Sequence, residues 1–264
     1  MSRGEHPRRR RSDSAPPPKG ILAGERELIF QYLPEEVRAN MLRRGSESAA
    51  LWNAFYPFAH SGLSLRAWLS LPRLWGSSAE GSDDDQLMPC FWGLTVDGQP
   101  LGGLAESASD VAGREDRLEI DLFLVGRRHL VAVEAKIDGV PGRCGRYDSG
   151  RCPEVHGPDA ACRYWEDGPA SFEAALDFGI RPVRDQEEPP PCAIHYQMAR
   201  TLLGVENLAR RKDLVPHLTL LMPQRRWPAL RGGWQDFAER VRDEEQWRRL
   251  RVMAWEDLEG LKRS

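Results

Sequence analysis

The sequence predicts an α/β fold in which a mixed β-sheet is flanked by helices. Three observations lead to this prediction: helical patterns come first, a β-hairpin pattern follows, and helical and strand patterns then alternate to the end of the chain. This order is typical of one sheet packed between helical layers. We therefore expect a single domain over residues 21–264, preceded by a tail.

The tail, residues 1–20, is basic and Pro-rich and has almost no large apolar side chains. Such a segment buries too little apolar surface to fold alone, so we expect it to be disordered. It lacks the apolar core of an export signal, and no later stretch approaches the ~18 consecutive apolar residues of a membrane span. These features predict a cytoplasmic protein with no membrane segment.

The first folded part of the chain predicts helices. Residues 21–44 have near-helical apolar spacing, interrupted at Pro34 and stopped at Gly45. Ser46 suits the N-cap of a second helix, and residues 64–75 predict a third amphipathic piece. After a polar acidic loop, short apolar segments alternate with glycine from Phe91 to Ala105, which is typical of an edge strand or a loop.

A β-hairpin is predicted next. Leu118–Val125 and Leu130–Ile137 are apolar runs joined by the polar turn Gly-Arg-Arg-His. If Val125 opposes Leu130, Asp121 lies directly across from Glu134. Side chains alternate with period two, so one face of the hairpin is entirely apolar and should belong to the core. That face consists of Ile120, Leu122, Leu124, Val131, Val133, Ala135 and Ile137.

The other face of this hairpin carries charges at the end far from the turn: Glu119, Asp121, Glu134 and Lys136. Two opposed carboxylates repel each other unless a cation lies between them or one is protonated. One or two carboxylates plus a substrate phosphate are the usual ligands of Mg²⁺. The cluster therefore predicts a metal site, with Lys136 placed to polarise a water or offset charge on a phosphate.

A purely structural alternative exists for the same charges. Lys136 could pair across the strands with Glu119, while Asp121 lies at a solvated sheet edge. The register is itself assumed, and a slip of one residue would move the two carboxylates to opposite faces.

Beyond the hairpin, residues 142–191 form an irregular stretch that is too long for an ordinary loop unless something organises it. A Cys₃His zinc site of Cys144, Cys152, His156 and Cys162 would do so; ordinary free thiols are the alternative. Five cysteines, the others being Cys90 and Cys192, do not suggest a disulfide framework in a chain without an export signal.

The last part of the chain alternates helix and strand patterns. Residues 193–211 predict a helix, and HLTLLMP predicts a short buried strand. Residues 234–250 then predict a helix, RVMAW a strand, and the final residues a short helix. The apolar strands read as sheet members covered by these helices.

The hairpin charges resemble the signature of the PD-(D/E)XK nuclease superfamily, an Asp on one core strand followed by (D/E)-x-K on the next. Asp121 and Glu134-Ala135-Lys136 match it, although Ile120 stands where the family name has proline. The resemblance implies a restriction-endonuclease-like mixed β-sheet core flanked by helices. It also implies that Asp121, Glu134 and the main-chain carbonyl of Ala135 bind Mg²⁺ or Mn²⁺, while Lys136 helps to activate water.

Two further residues of that superfamily have candidates here. Many members carry a Glu on a helix before the sheet, and Glu47 or Glu106 matches that position; exonuclease-like members carry a Gln on a later helix, which Gln197 matches. Each has a simpler explanation as well. A first-turn Glu is favoured by the helix dipole, and Gln197 shares one polar helix side with Arg200 and Thr201 that solvent would equally suit.

We therefore expect a Mg²⁺-dependent nuclease acting on DNA, in restriction, defence or repair, with a homodimer as one assembly open to it. The overall layout is also similar to that of a group of bacterial restriction-endonuclease-like proteins. The alternative is a non-catalytic nucleic-acid-binding module that uses Arg127, Arg128 and the basic tail. A protein-interaction role for the Trp-rich helices is a third reading, although core packing explains those tryptophans more simply.

Overall fold

The computed structural model describes residues 22–24, 26–43, 45–77, 84–113, 118–157 and 161–263. For residues 262 and 263 it describes the main chain alone. The predicted disordered tail, residues 1–20, and much of the acidic loop lie outside these residues. Within the described part, a six-stranded mixed sheet is flanked by helices. The predicted α/β class with a mixed sheet is confirmed.

The six strands are neighbours in the sheet in the same order as in the chain. The first four pair antiparallel and the last two add in parallel, which is why helices separate the last three strands. The strands are β1 (Leu63–Ser64), β2 (Gln86–Phe91), β3 (Leu122–Val125), β4 (His129–Ala135), β5 (Val215–Met222) and β6 (Leu250–Ala254).

Helices lie on both faces of this sheet. The α-helices are α1 (Glu35–Met41), α2 (Glu47–Phe55), α3 (Leu65–Ser70), α4 (Leu104–Ala112), α5 (Gly145–Asp148), α6 (Pro153–His156), α7 (Phe172–Ala175), α8 (Pro191–Ile194), α9 (Tyr196–Lys212), α10 (Trp227–Glu239) and α11 (Glu244–Trp247). Short 3-10 helices cover Leu28–Gln31, Tyr56–Phe58, Arg163–Trp165, Gln224–Arg226 and Trp255–Arg263.

The predicted register of the central hairpin is confirmed, since Val125 pairs with Leu130 and Leu122 with Val133. The strand β3 begins later than predicted, at Leu122 rather than Leu118. The reason is local. The Asp121 carboxylate accepts the main-chain N–H of Ala135 at 2.9 Å, so a side chain takes the place of the next ladder bond.

This early end of pairing corrects the predicted apolar face. Leu122 and Leu124 pack with the N-terminal helices as expected, but Ile120 packs on the opposite side of the sheet, and Ile137 is half-buried. The opposite side of the sheet is also core. There Ile120 and Phe123 are buried in a cluster with side chains of α9. The hairpin strands are therefore buried on both faces, so Asp121 and Glu134 have no solvated sheet face beside them, whereas Glu119 is exposed ahead of β3.

Two other segments were less defined in the sequence. Residues 91–105, expected to be an edge strand or a loop, contain the end of β2 at Phe91, then a loop, and the start of α4 at Leu104. Residues 142–191, expected to be an irregular stretch that something must organise, contribute Tyr164, Trp165 and Phe172 to the core. Part of this segment, which contains helices of only four residues, is therefore held to the rest of the domain by apolar packing.

Candidate active site

The charged cluster lies at the end of the central hairpin far from its turn. Asp121 directly precedes β3, Glu134 is the penultimate residue of β4, and Lys136 follows that strand. Continuing the observed register places Asp121 across from Glu134, and the two carboxyl groups are close enough to share a hydrogen bond. Because β3 and β4 are interior strands, Asp121 does not lie at a sheet edge.

Main-chain and indole donors hold Asp121. Besides the bond from Ala135, the Trp92 indole donates to the carboxylate, and the main-chain N–H of Trp92 donates to the Asp121 carbonyl at 3.1 Å. Trp92 has a φ of 49°, which is uncommon for a bulky side chain. Strained backbone of this kind persists where surrounding contacts enforce it. Sequence reasoning missed Trp92, since no local pattern marks it.

Glu134 is almost fully buried, at 1% exposure, and both of its carboxylate oxygens accept hydrogen bonds from α9. Gln197 Nε2 donates at 2.8 Å and the Thr201 hydroxyl at 2.6 Å. The Gln197 amide is itself fixed, because its oxygen accepts the main-chain N–H of Gly142 at 2.6 Å. The polar side of this helix therefore faces the carboxylate rather than solvent.

Glu47 reaches the same end of the hairpin from the first turn of α2. Its Oε2 accepts the main-chain N–H of Ile137 at 3.0 Å, and its Oε1 lies 3.5 Å from Lys136 Nζ. Ser46 caps this helix by accepting the N–H of Ala49, which sets the position of its first turn. Glu106, the rival candidate, is exposed on α4. Among the described contacts, none joins it to these groups.

Lys136 lies between the carboxylates and the main chain. Its Nζ donates to the Ala135 carbonyl at 2.9 Å, and its own carbonyl accepts the Trp255 indole N–H at 2.9 Å. Glu119, its partner in the structural alternative, is exposed. The described partners of the ammonium are thus Glu47 and Ala135 instead.

Burial and charge shift the pKa values of this cluster. Burial raises the pKa of Glu134, and the negative charge of Asp121 raises it further. Burial also raises the pKa of Asp121, against the influence of Lys136. For Lys136, burial acts to lower the pKa, but the three neighbouring carboxylates outweigh it and the net pKa is raised. The lysine is held as a cation, while the two opposed carboxylates retain a proton more readily than usual.

The donor set fits a hard divalent cation. Asp121 and Glu134 offer carboxylate oxygens, and the Ala135 carbonyl, which accepts the Lys136 ammonium, comes directly after Glu134 in the chain. A cation there would offset the burial that raises both pKa values, and the charge of Asp121 that raises the pKa of Glu134 further. Within the described ranges, no three His, Cys, Asp or Glu side chains are placed to hold one ion together. Few protein ligands are what Mg²⁺ uses, since it keeps several waters.

The same finding bears on the predicted zinc ligands. Cys144, Cys152, His156 and Cys162 are not arranged as a closed group around one ion, and each of these thiols is free rather than disulfide-bonded. The His156 ring packs instead against Tyr147, with ring centroids 5.4 Å apart. Zinc at these four residues stays a prediction.

No protein-family model matches this chain, and neither a curated protein nor a solved structure is significantly similar to it. Among the described helices, none has the length and apolar character that crossing a bilayer requires. The fold and the site define an α/β protein with a buried carboxylate, Glu134, opposed to the half-buried Asp121, and with a lysine at the same end of the central hairpin.

Proposed function

We propose that this protein is a metal-dependent nuclease of the PD-(D/E)XK type, with a restriction-endonuclease-like fold, that hydrolyses phosphodiester bonds in DNA. The observation that carries the proposal is the convergence of Asp121, Glu134 and Lys136 at one end of a hairpin that is buried on both faces. Burial of opposed carboxylates without a role would only destabilise the fold. A divalent cation bound by the carboxylates and by a substrate phosphate would offset this cost.

Asp121, Glu134 and the Ala135 carbonyl are the residues that would hold Mg²⁺ or Mn²⁺. Such a cation, when bound, lowers the pKa of water and offsets negative charge on a phosphate. Gln197 and Thr201 fix both oxygens of Glu134, so this ligand needs no reorganisation when a substrate arrives. The Ala135 N–H and the Trp92 indole hold the Asp121 carboxylate.

Besides the metal, the site has a positive charge of its own, the Lys136 ammonium. Because its pKa is raised, the ammonium remains protonated and acts as a hydrogen-bond donor to an attacking water or a phosphate oxygen. Glu47 holds the ammonium from the side of α2 and balances part of its charge. Low local dielectric strengthens each of these interactions.

The positions of Arg127 and Arg128 do not support the alternative function, a non-catalytic nucleic-acid-binding module. Arg127 and Arg128 lie in the hairpin turn, at the opposite end of β4 from the carboxylates. A seven-residue strand spans roughly 20 Å. That separation leaves the buried carboxylate pair unexplained, so the nuclease is the function we carry forward.

A cleavage assay tests the proposal. Supercoiled plasmid and linear DNA are incubated with the purified protein in Mg²⁺, Mn²⁺ or a chelator, beside Lys136→Ala and the matched control Lys212→Ala on the exposed end of α9. We expect metal-dependent cleavage that Lys136→Ala reduces about 100-fold or more and Lys212→Ala leaves intact. Cleavage that survives the chelator or Lys136→Ala would come from a contaminant and would count against the proposal.

A further inference from the structure

Three buried polar side chains lie side by side on the sheet face that packs with the N-terminal helices. Arg251 on β6 pairs in register with Thr219 on β5, and His217 precedes Thr219 by two residues, so alternation places all three on one face. Leu221 and Met253 continue this face and belong to the same core cluster as α2 and α3. Thr219 is 0% exposed, Arg251 2% and His217 5%, so all three side chains are inside the protein.

Each of these side chains has buried polar atoms without a hydrogen-bond partner in the described part of the chain. The atoms are Nε, Nη1 and Nη2 of Arg251, the Thr219 hydroxyl and Nδ1 of His217. His217 Nε2 lies 3.1 Å from His129 Nδ1, and when His129 donates this bond, the His217 proton is on Nδ1. Five N–H donors of the guanidinium, one hydroxyl and one imidazole N–H then lack an acceptor at one place.

The charge of Arg251 is not neutralised by its described surroundings. Burial, together with the positive charge of Arg73, lowers the pKa of Arg251 to about 10, so the guanidinium is still protonated at pH 7. Asp85, the carboxylate beside His129, accepts three main-chain N–H groups of the hairpin turn instead, at 2.9 to 3.1 Å. An isolated buried charge is strongly destabilising unless an opposite charge is bound beside it.

The chemistry of these donors selects an oxyanion. A guanidinium is a planar fork that binds two oxygens of one anion, and charge-assisted bonds of this kind are the strong ones. The Thr219 hydroxyl and the His217 imidazole lie on the neighbouring strand, ~4.8 Å away, where they can reach further oxygens of the same ion. Burial and the charge of Arg251 lower the pKa of His217, which keeps this ring neutral.

The chain packs over Arg251 from the outer edge of β6. The main-chain N–H and carbonyl of Trp75 both bond to Val252, at 3.3 and 3.0 Å, and a Cβ on Gly76 would lie only 3.3 Å from Arg251 Cγ. Arg73 Nε donates to the Gly76 carbonyl at 2.9 Å, which places a second positive charge near the first. An anion at Arg251 would be enclosed here, and a large substituent on it would clash with this cover.

We propose that Arg251, Thr219 and His217 bind a small free oxyanion, inorganic phosphate or sulfate, which stabilises this side of the fold. The site is separate from the carboxylates, because Glu134 faces the opposite side of the sheet and is covered by α9. The proposal therefore does not rest on the proposed nuclease activity.

Anion-dependent stability tests the site. Full-length protein is dialysed against an oxyanion-free chloride buffer, any phosphate or sulfate that it releases on denaturation is measured, and its thermal unfolding is followed with phosphate, sulfate or a nucleoside monophosphate at constant ionic strength. Phosphate and sulfate also stabilise proteins by exclusion from their surfaces, so the comparison is between variants. Arg251→Met and Thr219→Val are compared with the matched control Arg231→Met, since Arg231 is exposed on α10.

We expect phosphate at a hundred times its Kd to shift the wild-type unfolding equilibrium about 100-fold and to raise Tm by roughly 5–10 °C. Arg231→Met should respond like the wild type, and Arg251→Met should lose the shift. Without oxyanion, Arg251→Met should be at least as stable as the wild type, because it removes an unpaired buried charge. Thr219→Val should weaken phosphate binding about 3- to 10-fold in calorimetric titration, and this titration decides if Arg251→Met does not fold.

A shift with free phosphate that the nucleoside monophosphate does not produce supports a small free ion, and stoichiometric release of phosphate or sulfate on denaturation supports it equally. Equal shifts in the wild type and Arg251→Met would show surface exclusion alone and would overturn the proposal. So would a response to the nucleotide alone, or a wild type that neither releases nor binds an oxyanion.

Discussion

Replacing Glu134 with glutamine removes the buried one of the two opposed carboxylates while keeping the shape of the side chain. The amide oxygen can accept the bond from Gln197, and the amide nitrogen can donate to the Thr201 hydroxyl, which is able to accept. Glu134→Gln therefore leaves the packing and the hydrogen bonds largely in place. The change in the free energy of unfolding on Glu134→Gln therefore reports mainly the effect of the Glu134 charge.

The sign follows from the pKa of Glu134, which burial and Asp121 raise from 4.5 to about 8 in the metal-free protein. A carboxyl group with a raised folded pKa binds its proton more tightly in the folded state. The stability that this proton provides is complete below pH 4.5 and is lost as the pH rises to about 8. At ~1.4 kcal/mol per pH unit, the loss is at most about 5 kcal/mol.

Urea unfolding at pH 5 and pH 8 measures this effect. In a chelator, we expect the wild-type free energy of unfolding to fall by several kcal/mol between the two pH values and Glu134→Gln to fall by much less. Mg²⁺ should narrow the difference at pH 8 by stabilising only the wild type, by about 2.7 kcal/mol at a hundred times its Kd. The exposed Glu106→Gln is the control. Equal pH dependence of wild type and Glu134→Gln, with no effect of Mg²⁺, would refute the reasoning.

Three other substitutions probe the groups around the carboxylates. Thr201→Val removes the 2.6 Å donor to Glu134 and should lower the free energy of unfolding by about 1–3 kcal/mol at pH 8, measured in urea. Trp92→Phe removes the indole donor to Asp121 and should weaken Mg²⁺ binding by about 10- to 100-fold in calorimetric titration. Glu47→Gln weakens the ion pair with the active-site lysine and should slow DNA cleavage about tenfold or more, with unchanged thermal stability to within ~1 kcal/mol. Unaltered binding or cleavage would remove these residues from the site.

The register of the hairpin was predictable because turn length and the period-two pattern of the strands determine it locally. The late helix and the two parallel strands were predictable for a similar reason, since their apolar periodicity is strong. The position of Asp121 and Glu134 on one side followed from that register alone.

Features that depend on contacts between distant parts of the chain were not predictable from local patterns. The start of β3 shifted because a side chain of Asp121 replaces a main-chain bond, and this reversed the side on which Ile120 packs. The choice of Glu47 over Glu106 needed the packing of α2 against the hairpin end.

Cleavage of DNA by the purified protein, wild type against Lys136→Ala, tests the central claim most directly. We predict that the wild type cuts plasmid or linear DNA in Mg²⁺ or Mn²⁺ and stops in chelator, while the folded Lys136→Ala variant is inactive or nearly so. A folded, metal-loaded wild type that cuts neither substrate, or a Lys136→Ala variant that cuts as fast as the wild type, would contradict it.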